Sequence, residues 1–218
     1  VLKQSGDKYI QHGMIIPSYF SKDTDQALRN AKNTDMMPSE LIKELYPFLE
    51  KHGIEEKAPL IAIQHTDNPS EALQLEAIKK NGSAIRYIID KGINPSEAVQ
   101  LEAVRQNGNL IEHIKNPTEE VKLEAVKKDG RVIEFIKNPS EALQLEAIKK
   151  NGSAIEWLID KGIIPSEKVQ LAAVKKNGSA IKWIIKSGIK PSEEVQLEAV
   201  ESAGRAIKWI IKSGIKPS

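Results

Sequence analysis

Residues 138–163 read NPSEALQLEAIKKNGSAIEWLIDKGI, and with small edits this stretch recurs to the last residue of the chain. Recurrence at a fixed period marks a repeat architecture and is weighed before any residue-level reading. The first half opens on Asn138-Pro139-Ser140-Glu141. Asn as N-cap, Pro at the first helical position and Glu three residues past the cap predict a helix start. Asn151-Gly152 then predicts a stop through a glycine at positive φ, and Ser153 opens a second helix that ends at Gly162. Apolar spacing on both sides of Asn-Gly is helical and not alternating, so the dipeptide is not read as a hairpin.

Working outward, the proline landmarks are Pro69, Pro95, Pro117, Pro139, Pro165, Pro191 and Pro217, separated by 26, 22, 22, 26, 26 and 26 residues. Four residues are about one helical turn. The longer units are therefore expected to extend the second helix by a turn while keeping its buried face nearly in phase. The units around Gly108 and Gly130 pass directly into the next Asn-Pro step at Asn116 and Asn138. The expected class is all-α: an α-solenoid of two-helix repeats over residues 67–218, preceded by an irregular helical portion of degenerate repeats over residues 1–66. In that portion, residues 1–6 align with the end of a first helix and residues 7–18 with a second helix. Residues 23–33 and 41–49 have helix-forming patterns, the latter behind Pro38-Ser39-Glu40 and closed by Gly53. Residues 59–65 read as a short helix with Pro59 in its first turn. The sequence starts inside a repeat, and Lys216-Pro217-Ser218 begins another, so truncation is expected at both ends.

The balance of 32 basic and 30 acidic residues gives a net charge of +2, with no overall pull toward nucleic acid or anionic membrane. Cysteine is absent, which removes disulfides, thiolate nucleophiles and Cys-ligated zinc. No apolar run approaches the roughly 18 residues of a membrane span, and no signal-peptide layout opens the chain. The expectation is a soluble protein, cytoplasmic or virion-associated, with no membrane partner.

Three columns of equivalent positions run along the repeats. On the first helix, Leu73, Leu75, Ala77 and Ile78 share an apolar arc, yet Gln74 lies in its middle and recurs as Gln100, Lys122, Gln144, Gln170 and Gln196. Its amide either reaches past the apolar rim to water or makes an inter-repeat hydrogen bond to the backbone of a neighbouring turn, since an unpaired buried amide costs on the order of 1–3 kcal/mol. On the second helix one ring recurs per unit, as Tyr87, His113, Phe135, Trp157, Trp183 and Trp209. This column is read either as inter-repeat packing or as a partly open aromatic track suited to partner anchors. The preceding position faces outward and changes from Arg86, Glu112, Glu134 and Glu156 to Lys182 and Lys208. Residues 161–218 accordingly hold 11 basic against 5 acidic residues, where both earlier thirds are net acidic. The partner-binding candidates are Trp157, Trp183, Trp209, Lys182, Lys186, Lys208 and Lys212.

At Pro-Ser-Glu-x-Val-Gln-Leu-x-Ala-Val-Lys-Lys-Asn-Gly, seen best from Pro165 to Gly178, the units resemble the short α-helical repeats of unassigned function found in some bacterial, bacteriophage and large-virus proteins. More loosely, they resemble variant leucine-rich repeats. The resemblance covers residues 67–218; it implies a coiled helical solenoid, admits a phage or virion component, and carries no catalytic residues. No phosphate-binding glycine loop, nucleophile elbow or metal-ligand spacing is present. His12, His52, His65 and His113 fall at unrelated repeat positions. Pairs such as Glu76 with Lys80 and Glu146 with Lys150 read as ordinary i, i+4 helix pairs, and the Lys-Lys steps as helix C-terminal charges. The functional expectation is a non-catalytic scaffold that binds a protein partner or a second copy, with no cofactor and no metal. The rivals are a nucleic-acid-binding solenoid using the basic C-terminal repeats and the regulatory arm of an enzyme lying outside this chain.

Overall fold

A hydroxyl, and not an asparagine, opens each first helix. In the structure, a computed structural model that describes residues 3–5, 8–11, 14–17 and 58–214, the caps are Ser70, Ser96, Thr118, Ser140, Ser166 and Ser192. Each side chain accepts from the amide three residues on, as Ser140 does from Leu143. The reading of Asn138 as N-cap is thereby corrected. Proline precedes the cap, and Glu is the first helical residue, where its charge meets the positive end of the helix dipole. Asn138 itself takes φ of 47°, the left-handed region that Asn enters more readily than most residues.

The chain forms two compact units, Val1–Ile93 and Asn94–Ser218, divided at a repeat junction. In the first unit, β1 (Lys3–Ser5), β2 (Lys8–Gln11) and β3 (Met14–Pro17) form an antiparallel meander, with Ser5 opposite Lys8 and Gln11 opposite Met14. The helical readings of residues 1–6 and 7–18 are corrected here. Tyr9-Ile10 and Ile15-Ile16 are aromatic and β-branched residues that favour strands. The helices expected over residues 23–33 and 41–49, the stop at Gly53, and Lys216-Pro217-Ser218 lie outside the described residues. α1 (Ala58–His65) forms where expected, α2 (Glu71–Lys80) packs on it, and α3 (Ile85–Asp90) touches both. Beyond the meander the described elements are helical, and the fold class is all-α.

In the second unit the first helices are α4 (Glu97–Gln106), α5 (Glu119–Lys128), α6 (Glu141–Lys150), α8 (Glu167–Lys176) and α10 (Glu193–Ser202). They stack in chain order, each on the next. The opening glutamates of α4, α5 and α6 receive the next repeat's cap hydroxyl: Thr118 donates to Glu97, Ser140 to Glu119 at 3.4 Å, and Ser166 to Glu141 at 2.7 Å. The cap thus ends one repeat's orphan amide and ties that repeat to its predecessor.

The second segments divide by length. In the two 22-residue units they are 3-10 turns alone, Gly108–His113 and Gly130–Phe135. In the longer units α helix is added: α7 (Ala154–Asp160), α9 (Ile181–Lys186) and α11 (Ile207–Lys212). The extra turn ends at Gly162, Gly188 and Gly214, all with φ between 74° and 82°, the conformation glycine adopts without Cβ strain.

The stop at Asn151-Gly152 works differently from the expectation. Asn151 is extended at φ −143°, its side chain accepts from the Ser153 amide, and Gly152 is not among the residues at positive φ. What its class of glycine permits is close approach of the next repeat. A Cβ on Gly130 would lie 2.6 Å from the Ala147 carbonyl oxygen, and one on Gly108 would lie 2.7 Å from that of Ala125.

The glutamine column is buried, between 5% and 9% exposed, which corrects the reading of a side chain reaching water. Its partner is also nearer than a neighbouring repeat. Each Nε2 donates to the carbonyl of the proline five residues earlier, at 2.9 Å in Gln74, 2.8 Å in Gln100 and 3.0 Å in Gln144, Gln170 and Gln196. The amide therefore holds the Pro-Ser step against its own helix. Where Lys122 replaces glutamine, its ammonium turns to Glu119 at 2.9 Å instead. Around this column the apolar core is continuous within the unit, with Val121, Ala147, Ile148, Leu158, Val169 and Ile184 essentially without solvent contact. Each fully buried Val, Leu or Ile among them contributes about 1.5–3 kcal/mol.

Candidate functional site

Positions that point inward repeat closely, so function has to be sought where the repeats differ on the outside. That place is the pair of neighbouring segments Gly178–Gly188 and Gly204–Gly214, which together carry Lys182, Lys186, Arg205, Lys208 and Lys212 and no acidic residue. α9 and α11 pack side by side, which sets the two segments edge to edge.

Within this patch the aromatic and basic columns meet. The Lys182 ammonium lies 4.5 Å from the centroid of the Trp183 ring and 5.4 Å from that of Trp209 in the next repeat. Lys186 approaches the Trp183 ring at 5.3 Å. Cation–π contacts of this kind contribute about 0.5–1 kcal/mol at exposed sites. Arg205 makes a second bridge between the same segments, its Nε donating to Ser179 Oγ at 3.0 Å. Lys208 and Lys212 stand exposed on α11. Trp157 shares the ring column, but Glu156 occupies the position that Lys182 and Lys208 fill later, and among the described residues no cation lies over the Trp157 ring.

The rings lie between the two readings of the sequence. Trp157, Trp183 and Trp209 are half-buried, while Tyr87 and Phe135 are 45% and 37% exposed. The column is packing at its inner edge and surface at its outer one. Arg205 was not legible as a member of the patch. The signal was the change of Gly-Ser-Ala at residues 178–180 to Gly-Arg-Ala at residues 204–206.

Several first-helix charges of α4, α5, α6 and α8 behave in the opposite way, because they find partners within the chain. Glu119 pairs with Lys122 at 2.9 Å, Glu124 with Lys127 at 2.8 Å, and Glu146 with Lys149 at 3.5 Å. The spacing is i, i+3, so the expected pairing of Glu146 with Lys150 is corrected. Between repeats, Lys168 meets Glu141 at 3.7 Å and Arg105 meets Glu124 at 3.6 Å. The hydrogen bond from Lys127 holds the Glu124 carboxyl below the usual carboxylate range, against the opposing effect of burial.

Asp129 stands at the asparagine position of the turn and accepts from the Arg131 amide at 3.0 Å. The Arg131 side chain also donates to it, at 2.8 Å from Nη2, and these bonds hold its carboxyl below the usual range. A carboxyl depressed in the folded state contributes stability that is present above its unfolded value, about 3.9, and is lost as pH falls through the lower folded value. Asp129→Asn keeps the amide bond, as Asn81, Asn107, Asn151 and Asn177 do in their units. Urea unfolding is therefore expected to shift by no more than about 0.5 kcal/mol at pH 7, while the loss of stability on going below about pH 4 becomes shallower. An unchanged acid limb would show that Asp129 does not carry it.

At the last described repeat, a groove of about 410 Å³ is lined by Glu193, Glu194, Gln196, Leu197, Val200, Ile207 and Ile210. Leu197 is 61% exposed there, and Ile207 is 39% exposed where its equivalents Ile155 and Ile181 are fully buried. Among the described residues no group of three or more His, Asp or Glu is placed to hold a metal ion, and no helix is long and apolar enough to cross a membrane. No protein-family model, curated protein or solved structure matches the chain. The class that the fold defines is a helical repeat-like all-α protein.

Proposed function

We propose that this chain is a non-catalytic helical-repeat scaffold, an α-solenoid that engages another protein through the second-segment face of its C-terminal repeats. The observation that supports this reading is the contrast between its two faces. Nine charges of α4, α5, α6 and α8 form ion pairs with one another, whereas the five cations of residues 178–214 meet no carboxylate among the described residues, and two of them, Lys182 and Lys186, lie over half-buried tryptophans. Unpaired charge next to aromatic anchors is the composition of a recognition surface, in which aromatic and arginine residues supply binding energy and charge sets partner choice.

A photo-crosslinking residue placed at Lys186 or Lys212 tests the reading against the same residue placed at Lys127 or Lys149 on the first-helix face. Protein adducts are expected from Lys186 and Lys212 and not from the other two sites. Equal adducts from both faces, adducts to nucleic acid, or none at all would remove the assignment.

A further inference from the structure

We propose that Lys182, Lys186, Arg205, Lys208 and Lys212 form a docking surface for an acidic helix of another protein. This rests on the scaffold reading and adds the chemistry of the partner. The first reason is charge. Five cations on two adjacent segments that themselves hold no acidic residue repel one another, and a row of carboxylates relieves that repulsion.

The second reason is where the ammonium groups are held. Lys182 lies against the rings of both Trp183 and Trp209, and Lys186 lies near the first. Single-stranded nucleic acid binds by stacking its bases on exposed ring faces. Here a base would have to displace Lys182 from two rings, losing the charge that attracts the phosphates. A carboxylate meets the same ammonium from its solvent side and leaves both ring contacts in place. Arg205 is held likewise by Ser179, so part of the ordering cost of the surface is met before a partner arrives.

The third reason is spacing. Lys182 and Lys186 stand four residues apart on α9, as Lys208 and Lys212 do on α11, a separation of about 6 Å along each helix. Packed helices lie roughly 8–10 Å apart. A partner helix laid along α9 or α11 with carboxylates at i and i+4, about 6 Å apart, matches the lysine spacing within one row, and one laid across them with carboxylates at i and i+7, about 10.5 Å apart, comes close to the spacing between rows. Exposed Ile211, at 62%, adds an apolar contact beside the lysines.

The test uses the full chain carrying Trp157→Phe, so that tryptophan emission reports on Trp183 and Trp209 alone. The probes are a helical glutamate-rich peptide, an oligodeoxythymidine of equal length, and buffer with no addition. The peptide is expected to bind and change the emission, to weaken as salt is raised, and to lose affinity about tenfold or more in Lys186→Glu/Lys208→Glu/Lys212→Glu, where each attraction is replaced by a repulsion. The same reversals at Lys127, Lys149 and Lys150 are expected to leave binding unchanged. Lys186→Gln/Lys208→Gln/Lys212→Gln gives the same direction should charge reversal perturb folding, and circular dichroism checks each variant. Tighter binding of the oligodeoxythymidine, absence of peptide binding, or equal loss with the first-helix variants would overturn the proposal. So would sedimentation showing that the unmodified chain self-associates through these lysines, since a second copy would then be the occupant. Crosslinks from Lys186 and Lys212 to a partner without acidic character would sink this inference and leave the scaffold reading intact.

Discussion

Gly178→Ala is expected to destabilise the protein by about 1–3 kcal/mol in urea unfolding, the usual cost of forcing a methyl group into a packed interface, while Gly204→Ala costs nothing measurable. The two glycines occupy the same repeat position, each opening a 3-10 turn after a first helix. They differ in what lies opposite. A Cβ on Gly178 would run into the Ala199 carbonyl oxygen and come within 2.8 Å of the Ala203 nitrogen and Cβ. These contacts belong to the next repeat's backbone and its adjoining methyl group, which have no rotamer to move. At Gly204 no atom of the described residues lies within 4 Å. Gly152 should fall between them, because its nearest neighbours at 3.0–3.1 Å include the flexible Lys176 side chain. Equal losses at Gly178 and Gly204 would mean that glycine is required by the turn itself, and the close-approach account would fail.

That comparison also shows what was legible in the sequence. The repeat length, the two-helix unit, the left-handed stop at Gly162 and the shortened units around Gly108 and Gly130 all follow from spacing and local chemistry. They depend on residues within one turn of each other. The purpose of Gly152 was misread because its cause lies a full repeat away, in Lys176 and Asn177, which no local rule connects to it. Asn138 was mistaken for the cap for a different reason: Asn and Ser both favour that role, and only the backbone shows that Ser140 takes it. Glutamine at the centre of an apolar arc pointed to a buried bond, but not to the proline carbonyl of its own unit. For the candidate surface, the switch from Glu156 to Lys182 marked the place, and the tryptophans marked its neighbours. That Lys182 spans two rings depended on the packing of α9 against α11, which composition does not encode.

Leu158→Ala should have the largest effect of any single core truncation in the second unit, about 2–5 kcal/mol. Leu158 has no solvent exposure and lies on α7, which touches the 3-10 turn Gly130–Phe135 on one side and α9 on the other. It therefore sits where a short repeat meets a long one, and its loss leaves a cavity that neither neighbour is placed to fill. Repeats of this kind are held by their own packing and by nearest-neighbour interfaces, so a defect is felt locally before it is felt globally. Hydrogen exchange followed residue by residue should then show protection falling first in residues 141–186, with α4 and α5 less affected. Ile211→Ala, 62% exposed on the outermost helix, is the matched control and should change stability by no more than about 0.5 kcal/mol. A uniform loss of protection across the whole unit in Leu158→Ala would show instead that the stack unfolds as one cooperative body, and that coupling between repeats outweighs the stability of each.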